Sequence, residues 1–182
     1  VCSTLGEDPA RGWAYGYTSF QLDLTPYAKP GDDNVLAIRL DNLHESSRWY
    51  PGAGIYRHVW LEATGAVHVA RWGTYVTTPS VTEAAATVSI RTDVRNRESQ
   101  PVDVRLETQI LDPDGAVAGR SEVAWMVGLR LTVQVPTQIV VTKPRRWDLG
   151  SPHLYRAVTT VKVGDGIADR FETPFGIRRL EW

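Results

Sequence analysis

Apolar residues recur at every second position along most of the chain. In Thr18–Thr25, Phe20, Leu22 and Leu24 alternate with polar residues, the pattern of an antiparallel strand with one buried face. The same alternation predicts six further strands, at Val35–Leu40, Ile55–Glu62, Ala86–Val94, Val102–Leu111, Leu129–Val135 and Leu154–Val163. Shorter strands are predicted at Val67–Ala70, Thr74–Thr78, Ile139–Thr142 and Ile167–Phe171. No window keeps apolar residues at the helical spacing, so we expect an all-β fold with essentially no helix.

Turn signals lie between these predicted strands. Gly, Pro, Asn and Asp tolerate or preset the backbone angles that tight turns need. They cluster in Pro30–Asn34, Asp112–Gly115 and Gly164–Gly166. Strands at this spacing, separated by such turns, indicate a β-sandwich.

The chain divides near residue 64, where the strand pattern ends in Ala63-Thr64-Gly65 and a new series begins. Residues 64–172 supply seven or eight predicted strands, the number in an immunoglobulin-like sandwich. Residues 1–63 supply only three good strands, which are marginally stable by themselves. We expect that first block to pack on a neighbour or to dimerise, and we expect residues 173–182 to begin a linker.

Composition and charge exclude several classes of protein. The 20 Lys and Arg nearly balance the 21 Asp and Glu, so we expect no basic face for nucleic acid. No apolar run reaches the roughly 18 to 20 residues that span a bilayer, and the chain does not open with a signal-peptide pattern. We therefore expect neither nucleic acid nor membrane as a partner.

A search for catalytic and cofactor motifs finds none. The four histidines, His44, His58, His68 and His153, are scattered without metal-ligand spacing, so we expect no metal site. Gly52-Ala53-Gly54 lacks the third glycine of a dinucleotide fingerprint. Paired acids such as Asp112 and Asp114 lie in turn signals, where Asp bonds the backbone. We expect no catalytic residue and no cofactor in this chain.

One segment is richer in arginine, aromatic residues and glycine than the fold of a β-sandwich requires. Ser47–Arg57 concentrates two Arg, three aromatic residues and two Gly before a predicted strand. Aromatic rings stack on the C–H faces of sugars while guanidinium groups bond hydroxyls, which favours a sugar-contacting loop. The alternative, equally supported by composition, is that Trp49 and Tyr50 cover the end of a sheet.

The same region carries a resemblance to a known family. The elements Gly16–Phe20, Asp33–Ile38, Asp41-Asn42 and Arg48–Leu61 resemble the end of the sugar-binding jelly-roll domain of glycoside hydrolase family two. The elements Trp72–Pro79, Trp147, Ser151–Tyr155 and Phe175–Arg178 resemble its immunoglobulin-like second domain. Within this family, the sequence of these elements most resembles bacterial β-galactosidases.

The resemblance implies a fold and a role for each domain. It implies a partial jelly-roll sheet over residues 1–63, an immunoglobulin-like sandwich over 64–172, and a linker over 173–182 into a TIM barrel. In this family two glutamates of the barrel catalyse hydrolysis with retention, through a glycosyl-enzyme intermediate. The chain would then be a non-catalytic fragment of a β-galactosidase that braces the barrel.

The resemblance also implies binding residues and partners. The loop matching Asn42 to Tyr56 lies near the barrel mouth in the family, so Arg48 and Trp49 are expected to face a β-galactoside, with Asn42 supporting the loop. The expected partners are this carbohydrate, bound through the longer enzyme, the TIM barrel, and a second copy of the chain. The alternative is a free-standing carbohydrate-binding or structural interaction sandwich.

Overall fold

The computed structural model describes residues 21–39, 54–55 and 57–179, and divides the chain into two compact units, Val1–Val59 and Trp60–Trp182. In the first unit, Gly31 takes a positive φ of 85°. Asn34 closes the predicted turn there, since its Oδ1 accepts from the Lys29 amide at 2.9 Å and its Nδ2 donates to the Lys29 carbonyl at 2.9 Å.

The described part of the second unit contains seven strands in two antiparallel sheets. One sheet has the order β1-β2-β5 and the other the order β4-β3-β6-β7. Their bounds are β1 Val67–Val81, β2 Ala85–Asn96, β3 Val102–Leu111, β4 Val117–Val127, β5 Thr132–Thr142, β6 Tyr155–Val163 and β7 Gly166–Phe175. The predicted all-β fold with an immunoglobulin-like sandwich is confirmed, because alternate residues of both sheets face one shared core.

The core consists of two apolar clusters separated by buried threonines. One cluster is centred on Ile90, Ile110 and Ile139, and the other on Leu106 and Val135. Between them lie four buried threonines on facing strands, Thr92, Thr108, Thr137 and Thr159. The core is therefore polar at its middle layer.

Strand β1 is continuous where two short strands were expected. Its register against β2 shifts between Val69 and Thr74, and Trp72 has a φ of 53°. The predicted break at Trp72-Gly73 is thus a β-bulge within one strand. A Cβ on Gly73 would lie 2.6 Å from the Ala70 carbonyl oxygen and 3.1 Å from the Asp93 Cβ, so only glycine fits this position.

The strand predictions before residue 64 are wrong for the residues that the structure describes. Residues 21–25, 35–39 and 57–62 form no strand. Val35 is 93% exposed, so its alternation with polar neighbours buries no face. Alternation selects a face, but a strand also needs a neighbouring backbone to pair with.

The sandwich extends beyond the residue at which the linker was predicted to begin. Strand β7 continues through residue 172 to Phe175, and Ile177 is completely buried in the core. Residues 173–177 therefore belong to the packing of the sandwich. In the described ranges, no helix has the length and apolar composition that crossing a bilayer requires.

Candidate functional site

The predicted sugar-contacting residues cannot be placed. Asn42, Arg48 and Trp49 lie outside the described residues, so their role stays a prediction. The candidate site with described geometry is formed by other residues, at the end of the sandwich where β7 finishes.

This site is a groove of about 410 Å³ between three segments of the chain. We call it the exit groove. It is lined by the second half of β1, the loop between β5 and β6, the last residue of β7 and the residues after it: Val76, Thr77, Thr78, Trp147, Phe175, Gly176 and Arg178. The sequence analysis used Trp147 and the Phe175–Arg178 element only as marks of family resemblance and assigned them no role.

The residues after β7 are fixed to the sandwich at successive positions. Gly176 lies against Trp147, since a Cβ at residue 176 would be 3.0 Å from the Trp147 Cβ and Cγ. The Ile177 carbonyl accepts from the Trp147 amide at 2.8 Å. The Arg178 carbonyl accepts from the Thr78 hydroxyl at 3.0 Å, and its guanidinium carbon lies 5.4 Å from the centre of the Trp147 ring. The Phe-Gly-Ile-Arg element is therefore anchored to the end of the sandwich.

The loop that presents Trp147 is also held on several sides. The Tyr155 hydroxyl accepts from the Arg145 amide at 2.8 Å, and the rings of Tyr155 and Phe175 are 5.9 Å apart. The Arg145 guanidinium bonds the Asp114 carboxylate at 2.8 Å, which raises the pKa of Arg145. The Asp148 carboxylate accepts from the amides of Gly150 and Ser151, both at 2.7 Å. Trp147 is therefore presented by an ordered loop.

Two glutamates of the sandwich pair with cations. Glu107 bonds Lys162 at 2.6 Å and Glu172 bonds Arg170 at 2.7 Å. The hydrogen bonds that Glu107 accepts from Lys162 and then Gln109 lower its pKa. A glycosidase general acid needs a raised pKa, so Glu107 is unsuited to that role. No group of three His, Cys, Asp or Glu able to hold a metal occurs in the part of the chain that the structure describes.

Comparison with known proteins identifies relatives across nearly the whole chain. The family model described as "Glycosyl hydrolases family 2" matches residues 67–178. The β-galactosidase BoGH2A of Bacteroides ovatus is 42% identical over 165 residues, which cover 90% of this chain and 19% of that protein. A β-glucuronidase of Formosa agariphila is 28% identical over 188 residues, covering 92% of this chain and 19% of that protein.

Solved structures agree with the sequence relatives. The crystal structure of a glycosyl hydrolase family 2 member from Bacteroides cellulosilyticus matches with a TM-score of 0.80 and 31% identity, over 92% of this chain and 22% of that one. A β-glucuronidase structure from Bacteroides uniformis matches with a TM-score of 0.69 and 26% identity, over 86% of this chain and 20% of that one. The chain thus spans about a fifth of the length of the relatives it matches.

Proposed function

This chain belongs to family 2 of the glycosyl hydrolases, and from that membership we propose that it is a non-catalytic part of a longer retaining β-glycosidase. Its sandwich braces the catalytic TIM barrel of that enzyme. The barrel supplies the two glutamates for hydrolysis, and the sandwich holds the barrel in register with the sugar-binding unit. The observation that carries this proposal is the anchoring of Gly176, Ile177 and Arg178 at the exit groove.

The anchoring supports a brace because it removes rotational freedom at the junction. Ile177 is completely buried, and the carbonyls of Ile177 and Arg178 both accept hydrogen bonds from the sandwich. A barrel joined after Arg178 therefore starts from a fixed backbone direction. A flexible junction would instead permit the domain motion expected across small interfaces.

The brace is tested in the longer enzyme with Trp147→Ala. This change removes the ring that Gly176 and Arg178 contact. We expect kcat/KM on a nitrophenyl glycoside to fall and the barrel to unfold at a lower temperature, measured by calorimetry. The matched control is Arg170→Ala, an exposed change on β7 away from the groove. A Trp147→Ala enzyme with unchanged kcat/KM and unfolding temperature overturns the proposal.

The longer enzyme is proposed to hydrolyse β-galactosides. The 42% identical relative is a β-galactosidase, whereas the β-glucuronidase is 28% identical. The test compares hydrolysis of nitrophenyl β-galactoside and nitrophenyl β-glucuronide by the longer enzyme. Faster hydrolysis of the glucuronide would contradict this substrate choice without affecting the brace.

The loop containing Asn42, Arg48 and Trp49 is proposed to shape the sugar pocket. Its sequence, in which an aromatic residue follows an arginine, supports sugar contact, because rings stack on sugar C–H faces and guanidinium groups donate to hydroxyls. In the longer enzyme, Trp49→Ala should raise KM for a galactoside about tenfold, the effect of losing about 1.4 kcal/mol of binding. Leu149→Ala, on the 92% exposed Leu149 of the sandwich, is the control. An unchanged KM in a folded Trp49→Ala enzyme would contradict this role.

A further inference from the structure

The two outer faces of the sandwich differ in chemistry. The outer face of β4-β3-β6-β7 carries four ion pairs. Three of them join neighbouring strands, Lys162 to Glu107 at 2.6 Å, Arg105 to Glu122 at 3.9 Å and Arg156 to Glu172 at 3.3 Å. A fourth joins Arg170 to Glu172 at 2.7 Å within β7. Charged side chains that pair with each other in this way are typical of a face kept in water.

The outer face of β1-β2-β5, which we call the three-strand face, carries different side chains. The register places Tyr75, Arg91 and Pro136 in one row across the three strands. The next row holds Thr77, Ser89 and Gln138, and on the other side Asp93 lies opposite Gln134. Successive rows are about 6.8 Å apart, two residues along a strand. Within the described ranges, Arg91 and Arg95 form no ion pair.

Several of these side chains are already ordered for contact with a ligand. Tyr75 is 55% exposed, and the Arg91 guanidinium carbon lies 4.6 Å from the centre of its ring. The Gln134 amide donates to the Asp93 carboxylate at 3.0 Å. Stacking and hydrogen bonding fix both pairs before a ligand arrives, which lowers the entropy cost of binding.

The chemistry of the three-strand face matches a polyhydroxylated ligand. A hydroxyl group both donates and accepts hydrogen bonds. This face offers a carboxylate acceptor, a guanidinium donor, hydroxyls, and glutamine side chains whose amides donate and accept. The Tyr75 ring supplies an apolar surface for C–H groups. Asp93 offsets one of the two positive charges of Arg91 and Arg95, and the single net charge that remains is small for a face built to hold a strongly charged ligand.

We propose that the three-strand face is a carbohydrate-binding surface that holds a segment of a neutral polysaccharide, with Tyr75 as the stacking residue and Asp93, Gln134 and Arg91 as the hydrogen-bonding groups. This surface shares no residue with the pocket proposed for Arg48 and Trp49. The proposal rests on the proposed function only for the class of ligand, a glycan that a β-galactosidase would meet.

The test is affinity gel electrophoresis of the 182-residue chain in gels that contain soluble β-1,4-galactan. We expect the galactan to retard the chain. Tyr75→Ala should weaken binding about tenfold, because it removes the stacking ring, while Tyr75→Phe should retain most of the retardation. Gln134→Ala should weaken binding several-fold through loss of its amide hydrogen bonds.

The matched control is Arg170→Ala, an equally exposed change on the opposite face, which should leave retardation unchanged. Circular dichroism establishes that each variant is folded. A chain that migrates at the same rate with and without galactan overturns the proposal. Retardation that persists undiminished in folded Tyr75→Ala also overturns it. The assay needs no hydrolysis, so its failure is distinguishable from failure of the proposed glycosidase function.

Discussion

Gly176 lies so close to Trp147 that a Cβ at residue 176 would come within 3.0 Å of the Trp147 Cβ and Cγ. Carbon atoms pack favourably at about 3.5 to 4.0 Å, so any other residue at 176 must displace the indole. The Trp147 amide is bonded to the Ile177 carbonyl at 2.8 Å. Displacing the indole therefore strains the loop that closes the exit groove.

Gly176→Ala is accordingly expected to destabilise the sandwich. Overpacking of this kind lowers the free energy of unfolding by about 1 to 3 kcal/mol, measurable by urea denaturation. Gly166→Ala is the control, because a Cβ there would meet its nearest atom, the Val163 carbonyl oxygen, at an ordinary 3.6 Å. Equal stability of the two variants would contradict the tight contact at Gly176.

Asn96 should contribute more to stability than its polar character suggests. It is completely buried, and its amide nitrogen donates to the Gln100 carbonyl at 2.9 Å and to the Val127 carbonyl at 3.2 Å. Its Oδ1 accepts from the Glu98 amide at 2.8 Å. Asn96→Ala would leave these groups unpaired, at an expected cost of about 2 to 3 kcal/mol in the free energy of unfolding.

Urea denaturation also measures the effect at Asn96. Gln100→Ala is the matched control, because only the backbone carbonyl of the exposed Gln100 takes part in this network. A loss below about 0.5 kcal/mol in Asn96→Ala, the range of ordinary surface substitutions, would show that water replaces the lost hydrogen bonds.

The turns of this fold were predictable because their causes are local. Gly115 and Gly164 take positive φ angles of 89° and 56°, and both lie in turns that the sequence predicts. The Asp112 carboxylate accepts from the amides of Asp114 and Ala116 at 2.9 Å. A residue type chosen for its own backbone conformation or its nearest neighbours can be recognised from sequence alone.

Strand β4 and the exit groove were missed because their causes are not local. In β4, Gly119 interrupts the alternation, yet the structure requires it because a Cβ there would lie 2.5 Å from the Ile139 Cγ2 on β5. In the groove, Trp147 and Arg178 meet across 31 positions of sequence. Neither contact can be inferred from spacing, since both depend on how separate strands and loops pack.

The buried threonine layer predicts that removing a hydroxyl can stabilise the protein. Thr92 is completely buried, and its hydroxyl has no hydrogen-bond partner among the described residues. Thr92→Val should raise the free energy of unfolding by about 1 kcal/mol, since it removes an unpaired polar group. The measurement is thermal or urea denaturation.

Thr137 provides the matched control for Thr92. It is buried in the same layer on the adjacent strand β5, but its hydroxyl donates to the Ile90 carbonyl at 3.4 Å. Thr137→Val should therefore produce no gain in stability. A Thr92→Val protein no more stable than the wild type would contradict the assignment of an unpaired hydroxyl.

The Glu107–Lys162 pair predicts how stability changes with pH. The hydrogen bond from Lys162, with a second from Gln109, lowers the pKa of Glu107 in the folded chain. The unfolded chain therefore binds a proton more readily at this carboxyl. The stabilisation is present above the unfolded pKa of about 4.3 and is lost as pH falls through the lower folded pKa.

Lys162→Met should weaken this pH dependence. We expect the decline in the free energy of unfolding as pH falls below about 4.3 to become shallower, with a loss near neutral pH of at most about 1 kcal/mol because the pair is partly exposed. The Gln109 hydrogen bond to Glu107, at 3.0 Å, keeps part of the effect. Lys143→Met is the control, because Lys143 is exposed and forms no ion pair with the described residues. Parallel acid titrations of stability in Lys162→Met and the wild type would show that Lys162 does not lower the pKa of Glu107.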